Sequence, residues 1–127
     1  MKIQNDQWVL EIEKKGGRIK KLFYGNKKIL GTFDRIDGKQ GNTHVCIPNF
    51  GAQGEEYGLP FHGPARNLEW QVADKTDNKI KIDCEIKPTG EYPGNLLVEQ
   101  TYIIENGLRQ EITVKNIGQK SVPVCKK

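Results

Sequence analysis

Two side chains suited to acid–base and hydrogen-bonding chemistry, His62 and Arg66, lie four residues apart in a loop rich in proline and glycine. Histidine titrates near neutral pH and can act as a general acid, a hydrogen-bond donor or a ligand. The planar guanidinium of arginine suits bidentate contacts with carboxylates, phosphates or vicinal hydroxyls. Each residue alone also fits a structural role, His62 by bonding a loop carbonyl and Arg66 by pairing with a nearby glutamate. Their surroundings must therefore decide between the two interpretations.

The loop that carries them, residues 48–67, shows neither helical nor strand periodicity. Loops of this length inside compact domains are usually functional or disordered. Disorder fits poorly, because the loop holds four large side chains that favour burial: Phe50, Tyr57, Leu59 and Phe61. We therefore interpret the loop as an ordered binding segment. We expect His62 and Arg66 to lie in one concave patch lined by Phe50 and Phe61.

Other polar or aromatic residues near the loop are weaker candidates. Glu55 and Glu56 could form an acid–base pair, but adjacent side chains usually point in different directions, which favours a solvated loop pair. Trp70 alternates with Leu68 and Val72, so the pattern predicts core packing on a strand face. His44 has no partner in the sequence, and we assign it no role.

Composition limits the function classes. The chain has 127 residues, 35% of them hydrophobic and 28% charged, which is typical of one globular domain. Its net charge of +4 is spread along the chain without a basic cluster, which argues against nucleic-acid binding. The cysteines Cys46, Cys84 and Cys125 have no CxxC spacing, so we expect reduced thiols in a cytoplasmic protein and no metal. There is no apolar segment of the kind that forms a signal peptide or spans a membrane.

Alternating apolar residues predict the architecture. Period-two patterns cover residues 8–13, 80–86, 96–104 and 108–115, and less cleanly 19–24. The Asn106-Gly107 pair between the last two runs predicts a hairpin. The chain shows no sustained helical stripe. About seven strands joined by turn-rich loops predict an all-β fold, an antiparallel β-sandwich.

The loop and its flanks resemble a known family. Residues 48–51 (PNFG), residues 58–67 (GLPFHGPARN) and Trp70 are similar to the aldose 1-epimerase (galactose mutarotase) superfamily, and in particular to its bacterial branch with an HGxAR motif. Supporting similarities lie at residues 16–19 (GGRI), 92–94 (YPG), 116–118 (NIG) and 122–124 (VPV). The resemblance extends over essentially the whole chain.

The resemblance implies an antiparallel galactose mutarotase-like supersandwich that interconverts the α and β anomers of an aldohexose without a cofactor or metal. It assigns a catalytic contact near the sugar ring oxygen to His62. It places the following residues in the sugar site: Arg66, Asn49, Phe61 and Gly63. It also implies that residues 1–127 form a single domain equivalent to the N-terminal portion of the family fold, with an apparent C-terminal truncation. Residues 41–44 (GNTH) stand where the sugar-phosphate branch carries an arginine, which weakens a sugar-phosphate interpretation.

The sequence leaves two questions open: whether this chain is catalytically active, and whether it self-associates. The family's second histidine and its glutamate base lie beyond the position where this sequence ends, so we expect weak or no catalysis by this chain. The alternatives are a non-catalytic carbohydrate-binding module and a β-sandwich interaction domain. The expected partner is an aldohexose, with no nucleic acid and no membrane. We also expect self-association through an uncovered sheet, unless the strands close into a self-contained sandwich.

Overall fold

The computed structural model describes residues 1–124, whose regular secondary structure is almost entirely β-strand. The ten strands are β1 (Lys2–Asn5), β2 (Trp8–Glu13), β3 (Arg18–Tyr24), β4 (Lys27–Gly31), β5 (Phe33–Asp34), β6 (Gln40–Gly41), β7 (Gln71–Lys75), β8 (Lys79–Ile86), β9 (Leu96–Ile104) and β10 (Leu108–Asn116). Two 3₁₀ helices, Glu55–Tyr57 and Ala65–Asn67, interrupt the long loop. Within these residues no helix has the length and apolarity needed to cross a membrane.

The strands form two four-stranded sheets and one short ladder. The first sheet has the order β1-β2-β3-β4 and the second the order β10-β9-β8-β7, with antiparallel pairing throughout. Strands β5 and β6 pair only with each other, over two residue pairs. The predicted all-β antiparallel fold is therefore confirmed.

The core confirms the alternation that the sequence predicts. In β8 the side chains of Ile80, Ile82, Cys84 and Ile86 are buried, and in β9 so are those of Leu96, Val98, Tyr102 and Ile104. These residues form one cluster with apolar residues of the first sheet, including Leu10, Ile12, Ile19 and Leu22. Burial raises the pKa of the Cys84 thiol to about 12, as is expected of a cysteine that serves as a small core residue.

Two strands, β1 and β7, differ from the sequence prediction. Strand β1 was not predicted, because Ile3 is its only buried residue and gives no alternation. The strand predicted from Leu68, Trp70 and Val72 begins only at Gln71, and Val72 is exposed. Trp70 is buried as predicted, but β7 is an edge strand and all five of its residues are exposed.

The turn between β2 and β3 holds the long loop against the second sheet. The N–H of Gly16 donates to the Leu68 carbonyl at 2.7 Å, and the N–H of Trp70 donates to the Lys14 carbonyl at 2.8 Å. The Gly17 carbonyl accepts bonds from Gln100 and Tyr102 of β9. A Cβ at Gly17 would lie 2.7 Å from the Gln100 amide nitrogen and 2.8 Å from the Trp70 ring, so the turn requires glycine here.

Candidate functional site

Hydrogen bonds within the loop fix the position of the segment that carries His62. The Asn49 side chain, only 4% exposed, donates through Nδ2 to the carbonyls of Gly51 and Pro60, both at 3.1 Å. The backbone N–H of His62 donates to the Gly51 carbonyl at 2.9 Å. Asn49 is predicted to contact sugar. In the structure its buried side chain bonds to Gly51 and to Pro60, and so holds these two parts of the loop together.

The backbone geometry fixes which His62 ring nitrogen carries the proton. The N–H of Gly51 donates to His62 Nδ1 at 2.9 Å. A backbone N–H can only donate, so Nδ1 must accept, and the proton of the neutral ring lies on Nε2. His62 also adopts φ = 64°, an uncommon conformation for a residue other than glycine. Such outliers concentrate at functional sites, where the surrounding structure maintains them.

Two exposed aromatic rings flank the imidazole. The ring centroids of Phe61 and Phe50 lie 4.1 and 5.1 Å from that of His62. Both phenyl groups are largely accessible, at 57% and 43% exposure, so they present apolar faces to solvent beside a hydrogen-bond donor. This combination suits a ligand with both an apolar face and hydroxyl groups.

Two further residues at the site were not predicted. The His44 ring lies 5.4 Å from that of His62, and the Cys46 sulfur lies 3.7 Å from His44 Nδ1 and 3.5 Å from His62 Nδ1. The alternation of half-buried His44 and Cys46 with buried Val45 and Ile47 would have placed the first pair on one face. Sequence alone did not show that His62 packs against that face.

Arg66 is held by its backbone more than by its side chain. It lies in the 3₁₀ helix Ala65–Asn67, which the Trp70 indole anchors by donating from Nε1 to the Ala65 carbonyl at 2.9 Å. The Arg66 carbonyl accepts from Arg18 Nε at 3.4 Å and Nη2 at 3.1 Å. Arg66 Nε is buried, and no hydrogen-bond partner for it lies within residues 1–124.

The expected concave patch is divided between two surfaces. Phe50 and Phe61 lie against the His62 ring, whereas Arg66 lines a polar depression of about 280 Å³ with Arg18 and Asn42. Phe50 also lines a separate, largely apolar cavity of about 700 Å³.

The pKa of His44 is influenced both by His62 and by the arginines of the polar depression, Arg18 and Arg66. Burial, followed by the positive charges of Arg18 and Arg66 and the proximity of His62, lowers the pKa of His44 below its ordinary value, opposed by a hydrogen bond with the Val45 backbone. Burial and the Arg66 charge likewise lower the pKa of Arg18. The charge of Arg66 and the neighbouring His62 thus both lower the pKa of His44.

Gly63 permits the loop to pass close to the backbone of Ile47. It is buried with φ = 76°, and a Cβ there would clash with the carbonyl oxygen of Ile47. Close backbone approach therefore requires glycine here, whereas the predicted sugar contact of Gly63 stays a prediction.

Comparison with known proteins identifies the family. The family model described as aldose 1-epimerase matches residues 9–125. The chain belongs to the aldose 1-epimerase family. A search of curated proteins gave no significant match.

Solved structures support the same fold. A galactose mutarotase-like protein from Lactobacillus casei ATCC 334 is 20% identical, with a TM-score of 0.83 over 98% of this chain and 46% of its own. A galactose mutarotase related enzyme from Lactobacillus acidophilus is 19% identical, with a TM-score of 0.77 over 91% of this chain and 43% of its own. The chain thus spans less than half the length of these two structures.

Within residues 1–124, no carboxylate hydrogen-bonds to the His62 imidazole. Glu55 and Glu56 are exposed on their 3₁₀ helix, as the solvated-pair interpretation predicts. No group of three or more His, Cys, Asp or Glu in this part of the chain could hold a metal ion.

Proposed function

We propose that residues 1–127 form a single domain equivalent to the N-terminal part of an aldose 1-epimerase, and that its loop binds an aldohexose. His62 donates a hydrogen bond from Nε2 to the sugar ring oxygen. The hydrogen bond from Gly51 to Nδ1 carries this proposal, because it leaves the donor on the ring nitrogen that the loop does not use.

The remaining residues would orient the sugar. The exposed Phe50 and Phe61 rings offer apolar surfaces on which the C–H face of a pyranose can pack. The planar fork of the Arg66 guanidinium suits vicinal hydroxyls, but Arg66 lines the separate polar depression and would contact the sugar only from there. Asn49 and Gly63 contribute indirectly, since they hold the loop that presents His62.

Anomer interconversion requires an acid and a base acting together. The base removes the proton of the anomeric hydroxyl while the acid protonates the ring oxygen, so that the C1–O5 bond breaks and the aldehyde forms. Rotation about C1–C2 followed by the reverse steps gives the other anomer. In this scheme the neutral His62 hydrogen-bonds the ring oxygen through Nε2–H and orients it. The proton that the ring oxygen gains comes from a separate acid, and no cofactor or metal takes part.

The absence of a carboxylate bonded to His62 within residues 1–124 favours a second candidate for the chain on its own, non-catalytic carbohydrate binding. A positioned acid or base typically contributes about 10²–10⁴-fold to the rate. We therefore expect the purified chain to bind an aldohexose but to accelerate mutarotation only slightly.

Calorimetric titration with a panel of aldohexoses tests the binding proposal. The key variant is His62→Asn, since asparagine tolerates the positive φ at this position whereas alanine would add backbone strain. We expect His62→Asn to weaken binding about tenfold, and the control Glu55→Gln to leave it unchanged. Equal affinity of the wild type and His62→Asn would contradict the proposal.

Polarimetry then separates the two candidate functions. A mutarotation rate close to the spontaneous rate supports sugar binding without efficient catalysis by this chain. A large rate that His62→Asn abolishes would mean that a base is present in the chain, and Glu55→Gln and Glu56→Gln would then be assayed for it.

A further inference from the structure

The imidazole of His44 is a second titratable ring beside His62, and the proposed function gives it no role. The two ring centroids lie 5.4 Å apart, with an angle of 50° between the ring planes. The Cys46 sulfur contacts both rings, at 3.7 Å from His44 Nδ1 and 3.5 Å from His62 Nδ1. His44 is half-buried, so it keeps part of its surface accessible. A ligand bound at the His62 ring therefore comes close to His44.

The residues on both sides of His44 are fixed by contacts with the rest of the fold. The N–H of Ile19 donates to Thr43 Oγ1 at 3.0 Å, which ties the preceding residue to β3. The following residue, Val45, is buried and belongs to the core. His44 is thus held in place before any ligand binds, which lowers the ordering cost of a contact with its ring.

His44 is neutral near pH 7. Burial lowers its pKa below the ordinary 6.5, and the positive charges of Arg18 and Arg66 lower it further. The nearby His62 acts in the same direction, and a hydrogen bond with the Val45 backbone opposes them. A neutral imidazole carries one N–H donor and one nitrogen that accepts a hydrogen bond.

The two imidazoles together offer a donor and an acceptor to one ligand. The accepting nitrogen of His62, Nδ1, is bound by the Gly51 N–H, so this ring offers its Nε2–H. Neutral His44 adds an accepting nitrogen, which Arg66 does not have, because a guanidinium can only donate.

A pyranose carries the complementary pair of groups at its anomeric carbon. Its ring oxygen has no hydrogen and can only accept, whereas the anomeric hydroxyl can donate. Both oxygens are bonded to C1, so the side chains that bind them must lie close together, as His44 and His62 do. Of the hydroxyl groups attached directly to the ring, the anomeric one is the nearest to the ring oxygen.

We propose that His44 is a second sugar-contacting residue, which accepts a hydrogen bond from the anomeric hydroxyl while His62 donates to the ring oxygen. This inference rests on the proposed function, since the contact of His62 sets the position of the sugar. It makes the site specific for sugars with a free anomeric hydroxyl. The chain should therefore distinguish an aldohexose from its 1,5-anhydro analogue, in which hydrogen replaces that hydroxyl.

A double-mutant cycle between protein and ligand tests the contact by calorimetric titration. The wild type and His44→Leu are each titrated with a binding aldohexose and with its 1,5-anhydro analogue. We expect removal of either partner to weaken binding about tenfold, and removal of the second partner to weaken it little further. His44→Gln keeps a side-chain acceptor and should retain part of the preference for the aldohexose. The control Glu55→Gln should retain all of it.

The cycle separates a sugar contact from a packing role of His44. If the ring only packs against His62, His44→Leu should weaken the binding of both ligands by the same factor. That result, or equal affinity of the wild type for the two ligands, would overturn the His44 contact and leave the His62 donor standing. A chain that binds no aldohexose would overturn both. Circular dichroism confirms that each variant is folded.

Nitrogen-15 NMR of the wild-type chain gives a second test that needs no variant. The accepting nitrogen of His44 should shift when the aldohexose is added and stay unchanged with the 1,5-anhydro analogue, whereas Nε2 of His62 should respond to both ligands. A His44 ring whose resonances do not change in the chain saturated with aldohexose would contradict the proposal.

Discussion

Gly51 and His62, eleven residues apart, bond to each other in both directions. The N–H of Gly51 donates to His62 Nδ1 at 2.9 Å, and the N–H of His62 donates to the Gly51 carbonyl, also at 2.9 Å. The first bond orients the imidazole and sets its tautomer, while the second fixes the backbone that carries it. Together they make His62 a pre-positioned Nε2–H donor, which avoids part of the ordering cost of ligand binding.

The tautomer of neutral His62 is a direct prediction of this pair. We expect nitrogen-15 NMR of the imidazole to show a protonated Nε2 and an unprotonated Nδ1. The physical reason is that protonation of Nδ1 would direct two donors at each other across 2.9 Å. Observation of the Nδ1–H tautomer in the neutral ring would show that the Gly51 bond does not exist in solution.

Gly63→Ala should destabilise the fold far more than a similar substitution elsewhere. Gly38→Ala is the matched control, because Gly38 has φ = 80° but no atom within 4 Å of the position that a Cβ would take. The conformational cost alone is about 1–2 kcal/mol. At position 63 the new Cβ would also clash with the Ile47 carbonyl, and a backbone shift that relieves the clash should cost about 1–3 kcal/mol more.

Urea unfolding of the two glycine variants measures this difference in free energy of unfolding. A sugar titration of Gly63→Ala should also show weakened binding, because the backbone shift moves His62, whereas Gly38→Ala should bind normally. Equal destabilisation by both substitutions would mean that the close approach to Ile47 is not needed.

His44 should give the fold a pH dependence of defined sign. Its folded-state pKa lies below the ordinary 6.5, chiefly because of burial. Between these two values the unfolded chain binds a proton that the folded chain does not. The His44 contribution to the free energy of unfolding is therefore fully present above pH 6.5, and it is lost as the pH falls through the folded-state pKa.

Proton NMR titration of the His44 ring checks both the direction and one cause of this shift. Arg66→Met should move the pKa of His44 upward, since the Arg66 charge disfavours the imidazolium. Arg35→Met, which removes an exposed arginine paired with Asp37, should have no effect. A pKa above 6.5 for His44 in the wild type would contradict the site geometry.

The sequence predicted the elements whose pattern is local. Strand β8 alternates cleanly because one face is buried and the other is wet, and the Asn106-Gly107 turn produced the expected hairpin between β9 and β10. The burial of Trp70 was likewise visible in its apolar context. In each case the determining interactions lie within a few residues or repeat with a fixed period.

The parts that the sequence did not show depend on contacts between distant segments. Arg18 reaches the Arg66 carbonyl across 48 residues, and Cys46 reaches His62 across 16. No spacing rule predicts such meetings, since they follow from how the β2–β3 turn holds the loop. For the same reason Arg66 lines its own depression with Arg18 instead of sharing the surface beside Phe61.

The most direct test of the account follows the His62 imidazole by nitrogen-15 NMR while an aldohexose that binds in the calorimetric panel is added. We predict that the Nε2 resonance of His62 shifts and saturates with the calorimetric affinity. Nδ1 should remain an acceptor, because its bond to Gly51 is retained. Saturation of the chain with sugar while the Nε2 resonance stays unchanged would contradict the claim that His62 is the sugar-binding donor.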